Sequence, residues 1–225
     1  YKYGKTEVKG GMQLLKEPNA DPFADFQVPA GVQDTVSEII QDVENDGDEA
    51  VHRLTRKFDD VSRESIRLSS EEESTAIAEL SDEAKRIIDK NIDNIQRFAE
   101  IQYDHIDEFE TEVEDGIILG QKTIPIERIG AYVPGGQYPL LSSALMTVIP
   151  AAVAGVDNIS VATPPQDNGV PHSAVIYGAR QAGADDIFVM GGAQAVAAMA
   201  VGTEEVLSND KIVGPGNIFV TEAKR

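Results

Sequence analysis

The chain has 225 residues, of which 41% are hydrophobic, and this is enough for one large or two small domains with a proper core. It carries 39 acidic against 19 basic side chains, and the resulting formal net charge of -20 argues against binding to nucleic acid or to an anionic membrane. The absence of cysteine excludes disulfides, a cysteine nucleophile and thiolate zinc sites.

The acidic side chains are spread along the chain, so their plainest interpretation is a solvated acidic surface. A more specific interpretation is that the source of the protein lives in high salt. Salt at 1 M, with a Debye length of about 3 Å, screens most of the repulsion between such charges. No apolar run approaches the length of a membrane span, and the N-terminus lacks the pattern of a signal peptide. We therefore expect a soluble, cytoplasmic protein.

Residues 1–128 are predicted to form a mostly helical region that ends in a β-hairpin. Residues 1–30 hold three prolines and little periodicity, so we expect an arm there. Gly47 is predicted to interrupt the first helical stretch. Side chains that can cap a helix N-terminus are predicted to begin three helices: Asp34, Ser70 in a capping box with Glu73, and Ser81.

The periodicity changes from helical to alternating at residues 112–126, and we predict a β-hairpin there with its tight turn at Asp115-Gly116. A domain boundary is predicted at Glu127-Arg128. From residue 129 to residue 225, strand-like and helix-like segments alternate. This alternation predicts an α/β fold with a Rossmann-like parallel sheet and right-handed crossovers.

Three strands of this region each end in a glycine turn that opens toward a helix: AYVPGG at 131–136, MGG at 190–192 and GPGN at 214–217. Ser142 and Ser143 are predicted to cap the helix after the first turn. In a parallel sheet all three turns lie at the carboxyl edge, where ligands bind, and free N-H groups at helix starts favour a pyrophosphate. The pattern therefore predicts a nucleotide site.

The motifs AYVPGG, GGAQAVAAMAVGTE and GPGNIFVTEAKR, in this order, resemble the histidinol dehydrogenase family, and DVENDGDEAVHRLTRKFDD extends the resemblance weakly to residues 42–60. The resemblance implies an NAD-dependent enzyme and homodimer that oxidises the small molecule L-histidinol to L-histidine through the aldehyde, with zinc holding the amino alcohol. It also implies that the chain is roughly the N-terminal half of the family's length. The family's Glu-His acid/base pair, zinc ligands and most substrate contacts would then lie beyond Arg225.

The resemblance carries the family's NAD contacts over to Tyr132, Gln194 and Asn217, one in each motif. The residues by themselves also allow other roles. Tyr132 is compatible with a half-buried strand tyrosine, and Gln194 either caps its own turn or faces a ligand. Asn217, after Gly-Pro-Gly, is a residue type that tolerates a left-handed turn.

No catalytic or metal-binding residue is assigned within the chain. Its three histidines are far apart without metal-ligand spacing, and His105 and His172 are expected at the surface. Two rival functions stay open. One is a paralogous dehydrogenase of another small polar alcohol such as sulfopropanediol, which the first two motifs also resemble. The other is a catalytically silent nucleotide-binding module.

Overall fold

The computed structural model describes residues 29–135 and 139–225 of the chain, and the segment Gly31–Arg225 forms one compact unit. The predicted N-terminal arm lies almost wholly outside the described residues, and so does Gly136 of the first glycine turn. The helices are α1 Val32–Asp59, α2 Ser70–Ala78, α3 Asp82–Tyr103, α4 Leu141–Val153, α5 Ser173–Ala182, α6 Gly192–Val201 and α7 Ile218–Ala223. The strands are β1 Phe109–Glu114, β2 Ile117–Gln121, β3 Arg128–Tyr132, β4 Asn158–Thr163, β5 Asp186–Val189 and β6 Lys211–Val213.

A four-stranded parallel sheet with the order β5-β4-β3-β6 forms the centre of the molecule. This sheet, the hairpin and the helical region confirm the predicted α/β fold class. The chain runs from β3 outward to β5 and then returns to the other side of β3 to form β6. The winding direction therefore reverses between β3 and β6, which is where a doubly wound sheet opens a crevice at the carboxyl ends of its strands.

Helices cover the sheet in two groups. The first consists of α1, α6 and α7, and the second of α2, α3, α4 and α5. Strands β3, β4 and β5 are buried almost throughout, as expected for parallel strands with helices packed on them. Among the residues with known placement, no helix is both long and apolar enough to cross a bilayer.

Gly47 breaks α1, as predicted, because its φ of 54° and ψ of -129° are not helical. A Cβ at this position would lie 2.5 Å from Glu204 Oε2. The same carboxylate accepts a hydrogen bond of 3.0 Å from the backbone N-H of Asp48, and Asp48 Oδ2 accepts one of 3.0 Å from the N-H of Glu205. These two hydrogen bonds connect α1, at its break, to the loop that follows α6.

Helix starts were predicted with mixed success. Ser81 caps α3 by accepting a hydrogen bond from the N-H of Ala84 at 3.1 Å, which confirms the prediction. Asp34 is not a cap, because α1 already begins at Val32 after Gly31. Ser142 and Ser143 do not cap α4 either, since that helix begins at Leu141 without any side-chain cap.

The capping box of α2 lies one residue earlier than the predicted pair of Ser70 and Glu73. Ser69 accepts from the N-H of Glu72, and the Glu72 carboxylate accepts from the N-H of Ser69. Both oxygens of Glu73 instead accept from Arg180 Nε at 2.9 Å. Glu72 pairs with Arg63 and still accepts from Ser69, so an ion pair by itself does not exclude a carboxylate from the box.

The hairpin is present, with Gly116 at a φ of 82° in its turn and an irregularity in register between Glu112 and Glu114. Its predicted extension over residues 123–126 is wrong, because β2 ends at Gln121. Pro125 lacks the N-H that a continuing ladder would need. All residues of both strands are exposed.

Candidate functional site

A cavity of about 950 Å³ opens at the carboxyl edge of the parallel sheet. Its wall includes residues from the turns after β3, β4 and β5, from the loop after β6 and from both ends of α1. Tyr132, Gln194 and Asn217 all line it, so the structure brings the three sequence-predicted residues together around one space. The crevice predicted from the strand order and this cavity coincide.

Tyr132 ends β3 with only 4% of its surface exposed. Its phenol oxygen accepts a hydrogen bond of 3.0 Å from the backbone N-H of Gly192 at the start of α6. Burial raises the pKa of the Tyr132 phenol above its ordinary value; the bond from Gly192 opposes this, and the charge of Asp59 adds to it. The hydroxyl therefore keeps its proton at neutral pH and can donate it.

Gln194 lies in the first turn of α6 and is 1% exposed. Its Oε1 has no hydrogen-bond partner among the described residues. The alternative that this amide caps its own helix is wrong, because α6 begins at Gly192 and no side chain caps it. Gly192 has a φ of 65°, and a Cβ there would stand 2.6 Å from Gln194 Oε1. The glycine thus leaves room for a buried acceptor that no described residue satisfies.

Asn217 caps α7, the helix after the third glycine turn. Its Oδ1 accepts from the N-H groups of Phe219 and Val220, both at 3.0 Å. The left-handed alternative is wrong, since Asn217 has extended dihedrals, and the positive φ of 119° belongs to Gly214. A Cβ on Gly214 would collide with the carbonyl of Tyr132. With Oδ1 occupied by the cap, the side-chain NH₂ is the part of Asn217 that can serve a ligand.

His105 is exposed, as expected, and its Nδ1 lies 2.7 Å from the carbonyl of Ile101. The expectation that His172 is a plain surface residue is wrong. His172 is half-buried, lines the cavity and caps α5, where its Nδ1 accepts from the N-H of Ala174 at 3.1 Å. Nδ1 can accept only when it carries no proton, so the neutral ring holds its proton on Nε2.

Asp59, the last residue of α1, is a cavity residue that the sequence did not reveal. Its Oδ2 is buried and has no hydrogen-bond partner within the described ranges. Burial raises the pKa of the Asp59 carboxyl above its ordinary value. One signal in the sequence could have pointed to Asp59. The segment KFDD at 57–60 ends the stretch of residues 42–60, where the family resemblance is weak.

Comparison with known proteins decides the family. A family model described as histidinol dehydrogenase matches residues 25–225. This chain belongs to the histidinol dehydrogenase family. A histidinol dehydrogenase from Methanosarcina mazei is 46% identical over 195 residues, which are 87% of this chain and 45% of the relative. A histidinol dehydrogenase homolog from Shouchella clausii is 42% identical over 86% of this chain and 46% of its own length.

The crystal structure of histidinol dehydrogenase from Elizabethkingia anophelis is similar, with a TM-score of 0.83 and 40% sequence identity. The match covers 88% of this chain and 45% of that one. The chain thus spans about half the length of the histidinol dehydrogenases that it matches.

Donors and acceptors in the cavity are compatible with a dinucleotide. Gln194 offers an orphaned acceptor, while Asn217 and Tyr132 offer donors. Among the described residues of the chain, no three or more His, Cys, Asp or Glu side chains are grouped to hold a metal ion. The described residues therefore fit a dinucleotide and show no place for zinc.

Proposed function

We propose that this chain provides the NAD-binding part of a histidinol dehydrogenase. The observation that carries the proposal is the Oε1 of Gln194, which is buried at the wall of the sheet-edge cavity and accepts no hydrogen bond from the part of the chain that the structure describes. Leaving a buried acceptor unsatisfied costs about 1–3 kcal/mol of stability. Such an acceptor is therefore expected at a place where a bound ligand donates a hydrogen bond to it. NAD carries suitable donors in its carboxamide and its ribose hydroxyls.

The proposed NAD contacts are Tyr132, Gln194 and Asn217, and each has a distinct task. Gln194 accepts a hydrogen bond through Oε1, Asn217 donates through its NH₂ group, and Tyr132 donates through its hydroxyl. The N-terminus of α6 follows Gly191, which also lines the cavity. Free N-H groups and the helix dipole favour the negative charge of a pyrophosphate at such a place, and glycine lets it approach.

The proposed reaction is the oxidation of L-histidinol to L-histidine through the aldehyde in two steps. NAD, when bound, takes up the hydride in each step, while this chain holds and orients it. In this proposal the zinc ligands and the acid/base pair come from the length of the relatives that the chain does not span, with a homodimer as the assembly. The proposal also divides the chain into a helical part, 1–128, and an NAD-binding part, 129–225. It further includes a source that lives in high salt.

Asn217→Asp tests the cofactor site without removing the helix cap. A carboxylate oxygen can still accept from the N-H groups of Phe219 and Val220, but the NH₂ donor is lost and a negative charge faces the cofactor. We expect NAD to bind the 225-residue chain and to bind this variant at least about tenfold more weakly, corresponding to about 1.4 kcal/mol. Saturation-transfer NMR titration measures the dissociation constants.

Asn94→Asp is the matched control, because Asn94 is exposed on α3 and does not line the cavity. It makes the same change in charge and should leave NAD affinity unchanged. A folded wild-type chain that does not bind NAD would contradict the proposal. Equal weakening by both variants would attribute the effect to overall charge and remove Asn217 from the site.

A further inference from the structure

Asp59 contributes a negative charge to the cavity, and no described residue forms an ion pair with it. The basic side chains nearest in sequence are engaged elsewhere: Arg56 Nε donates to Ser62 Oγ at 2.9 Å, and Lys57 Nζ lies 5.1 Å from the centre of the Phe58 ring. An unpaired, partly desolvated carboxylate costs stability, so a role in ligand binding would explain it.

The rest of the cavity wall is also poor in positive charge. No lysine or arginine occurs among the described residues that line it, and its second carboxylate, Asp167, is exposed. A phosphate monoester would bring a charge of about -1.5 to -2 next to Asp59, and none of the described lining residues offers it a basic side chain. The cavity is therefore suited to a dinucleotide that has no additional phosphate.

The hydroxyl of Tyr132 complements the carboxylate of Asp59. The Tyr132 oxygen already accepts from Gly192, so the hydroxyl has its proton left to donate. Tyr132 and Asp59 line the same cavity, and the charge of Asp59 contributes to the raised pKa of the Tyr132 phenol. Ionised Asp59 can only accept. One donor and one acceptor on the wall of one cavity match a vicinal diol, in which one hydroxyl accepts and the other donates.

The α1 side of the cavity also offers a surface for a base. Phe58, which precedes Asp59, is 52% exposed and lines the cavity together with Ile39 from the first half of α1. An exposed aromatic ring beside the proposed diol site can stack on a purine. Of the two halves of a dinucleotide, the adenosine half with its purine is therefore the better match to this side of the cavity.

We propose that Asp59 and Tyr132 hold the ribose diol of the adenosine half, and that Asp59 thereby selects NAD over NADP. The inference rests on the proposed function of the cavity as an NAD site. Dinucleotide-binding βαβ folds place their ribose-binding acid shortly after the second strand of the unit. Here that strand, β4, ends in Thr163, and the acid that follows it in the cavity wall, Asp167, is exposed. Asp59 of α1 is instead the lining acid with a buried oxygen that lacks a partner among the described residues, so we assign the acid's role to it.

Asp59→Asn tests the proposal, with NAD, NADP, AMP and nicotinamide mononucleotide as probes of the 225-residue chain. Removing the charge-assisted hydrogen bond should weaken NAD and AMP about tenfold. NADP should not weaken, since its repulsion from the carboxylate disappears, so the preference for NAD over NADP should fall at least about tenfold. Nicotinamide mononucleotide should bind equally to both proteins.

Asp60→Asn is the control, because it removes the same charge one residue later, at an exposed position outside the cavity. Asn also tolerates the left-handed φ of 55° at Asp60. Tyr132→Phe is a second variant, which should weaken AMP and NAD through loss of the hydroxyl donor. Melting curves establish that each variant is folded.

The outcomes distinguish a failure of the proposed role of Asp59 from a failure of the proposed NAD site on which it rests. A wild-type chain that binds none of the probes contradicts the NAD site itself. A wild-type chain that binds NAD, with the same NAD and NADP affinities in Asp59→Asn, overturns the role of Asp59 alone. Weakening confined to nicotinamide mononucleotide would overturn it as well, because the carboxylate would then serve the other ribose.

Discussion

Gln194→Met should make the protein more stable and a poorer binder of NAD. Methionine is unbranched and close to glutamine in size, so it can fill the same buried space at the start of α6. The substitution removes Oε1, which is buried without a hydrogen-bond partner among the described residues. Stability and cofactor affinity should therefore change in opposite directions.

The size of the stability change follows from the burial of this one group. An unsatisfied buried acceptor costs about 1–3 kcal/mol, and a volume-conserving exchange in a packed site costs less than about 1.5 kcal/mol. The net gain should be about 1 kcal/mol, which raises the melting temperature of a domain of this size by about 2–4 °C. NAD affinity should fall about tenfold, since one hydrogen bond to the cofactor is lost.

Differential scanning calorimetry without cofactor and NAD titration of the same samples measure both quantities. Gln181→Met is the control, because Gln181 is an exposed residue of α5 outside the cavity, and its melting temperature should stay within about 1 °C of wild type. The reasoning is refuted if Gln194→Met lowers the melting temperature while NAD affinity stays the same. Gln194 would then be a structural residue whose amide the fold requires.

Three further outcomes are expected. Arg63 holds the pKa of Glu72 down to about 2 from 4.5, so this carboxylate stabilises the fold fully above pH 4.5 and loses its contribution as the pH falls toward 2. Glu72→Gln should therefore cost about 2 kcal/mol at pH 7 in urea unfolding and much less near pH 2, whereas Glu71→Gln, in the same helical turn, should cost little. The net charge of -20 predicts that the melting temperature rises steeply from low to molar KCl; a flat response would remove the support for a high-salt habitat. The 225-residue chain should neither retain zinc in metal analysis nor reduce NAD with histidinol, and turnover after addition of zinc would place the metal and acid/base groups within this chain.

The architecture of the sheet was largely accessible from the sequence, because it rests on local signals. Short apolar runs followed by glycine turns marked the ends of β3 and β5. Helix starts were less accessible, since several neighbouring residues can cap and tertiary contacts choose among them. Glu73 matches the spacing of a capping box with Ser70, yet in the structure it pairs with Arg180, 107 residues away, and the box is formed by Ser69 and Glu72. The boundary at Glu127-Arg128 stays a prediction.

The candidate site was harder to predict from the sequence than the sheet was. A binding site is defined by the hydrogen-bonding capacity that folding leaves unused. The sequence could place Tyr132 and Asn217 at the edge of the sheet, but not which of their atoms the protein already employs. The bond from Gly192 leaves Tyr132 a donor, and the cap of α7 leaves Asn217 a donor as well. Asp59 was invisible for the same reason, since an acidic residue at a helix end is normally solvated, and only the packing of α1 at the cavity buries Oδ2 without a partner.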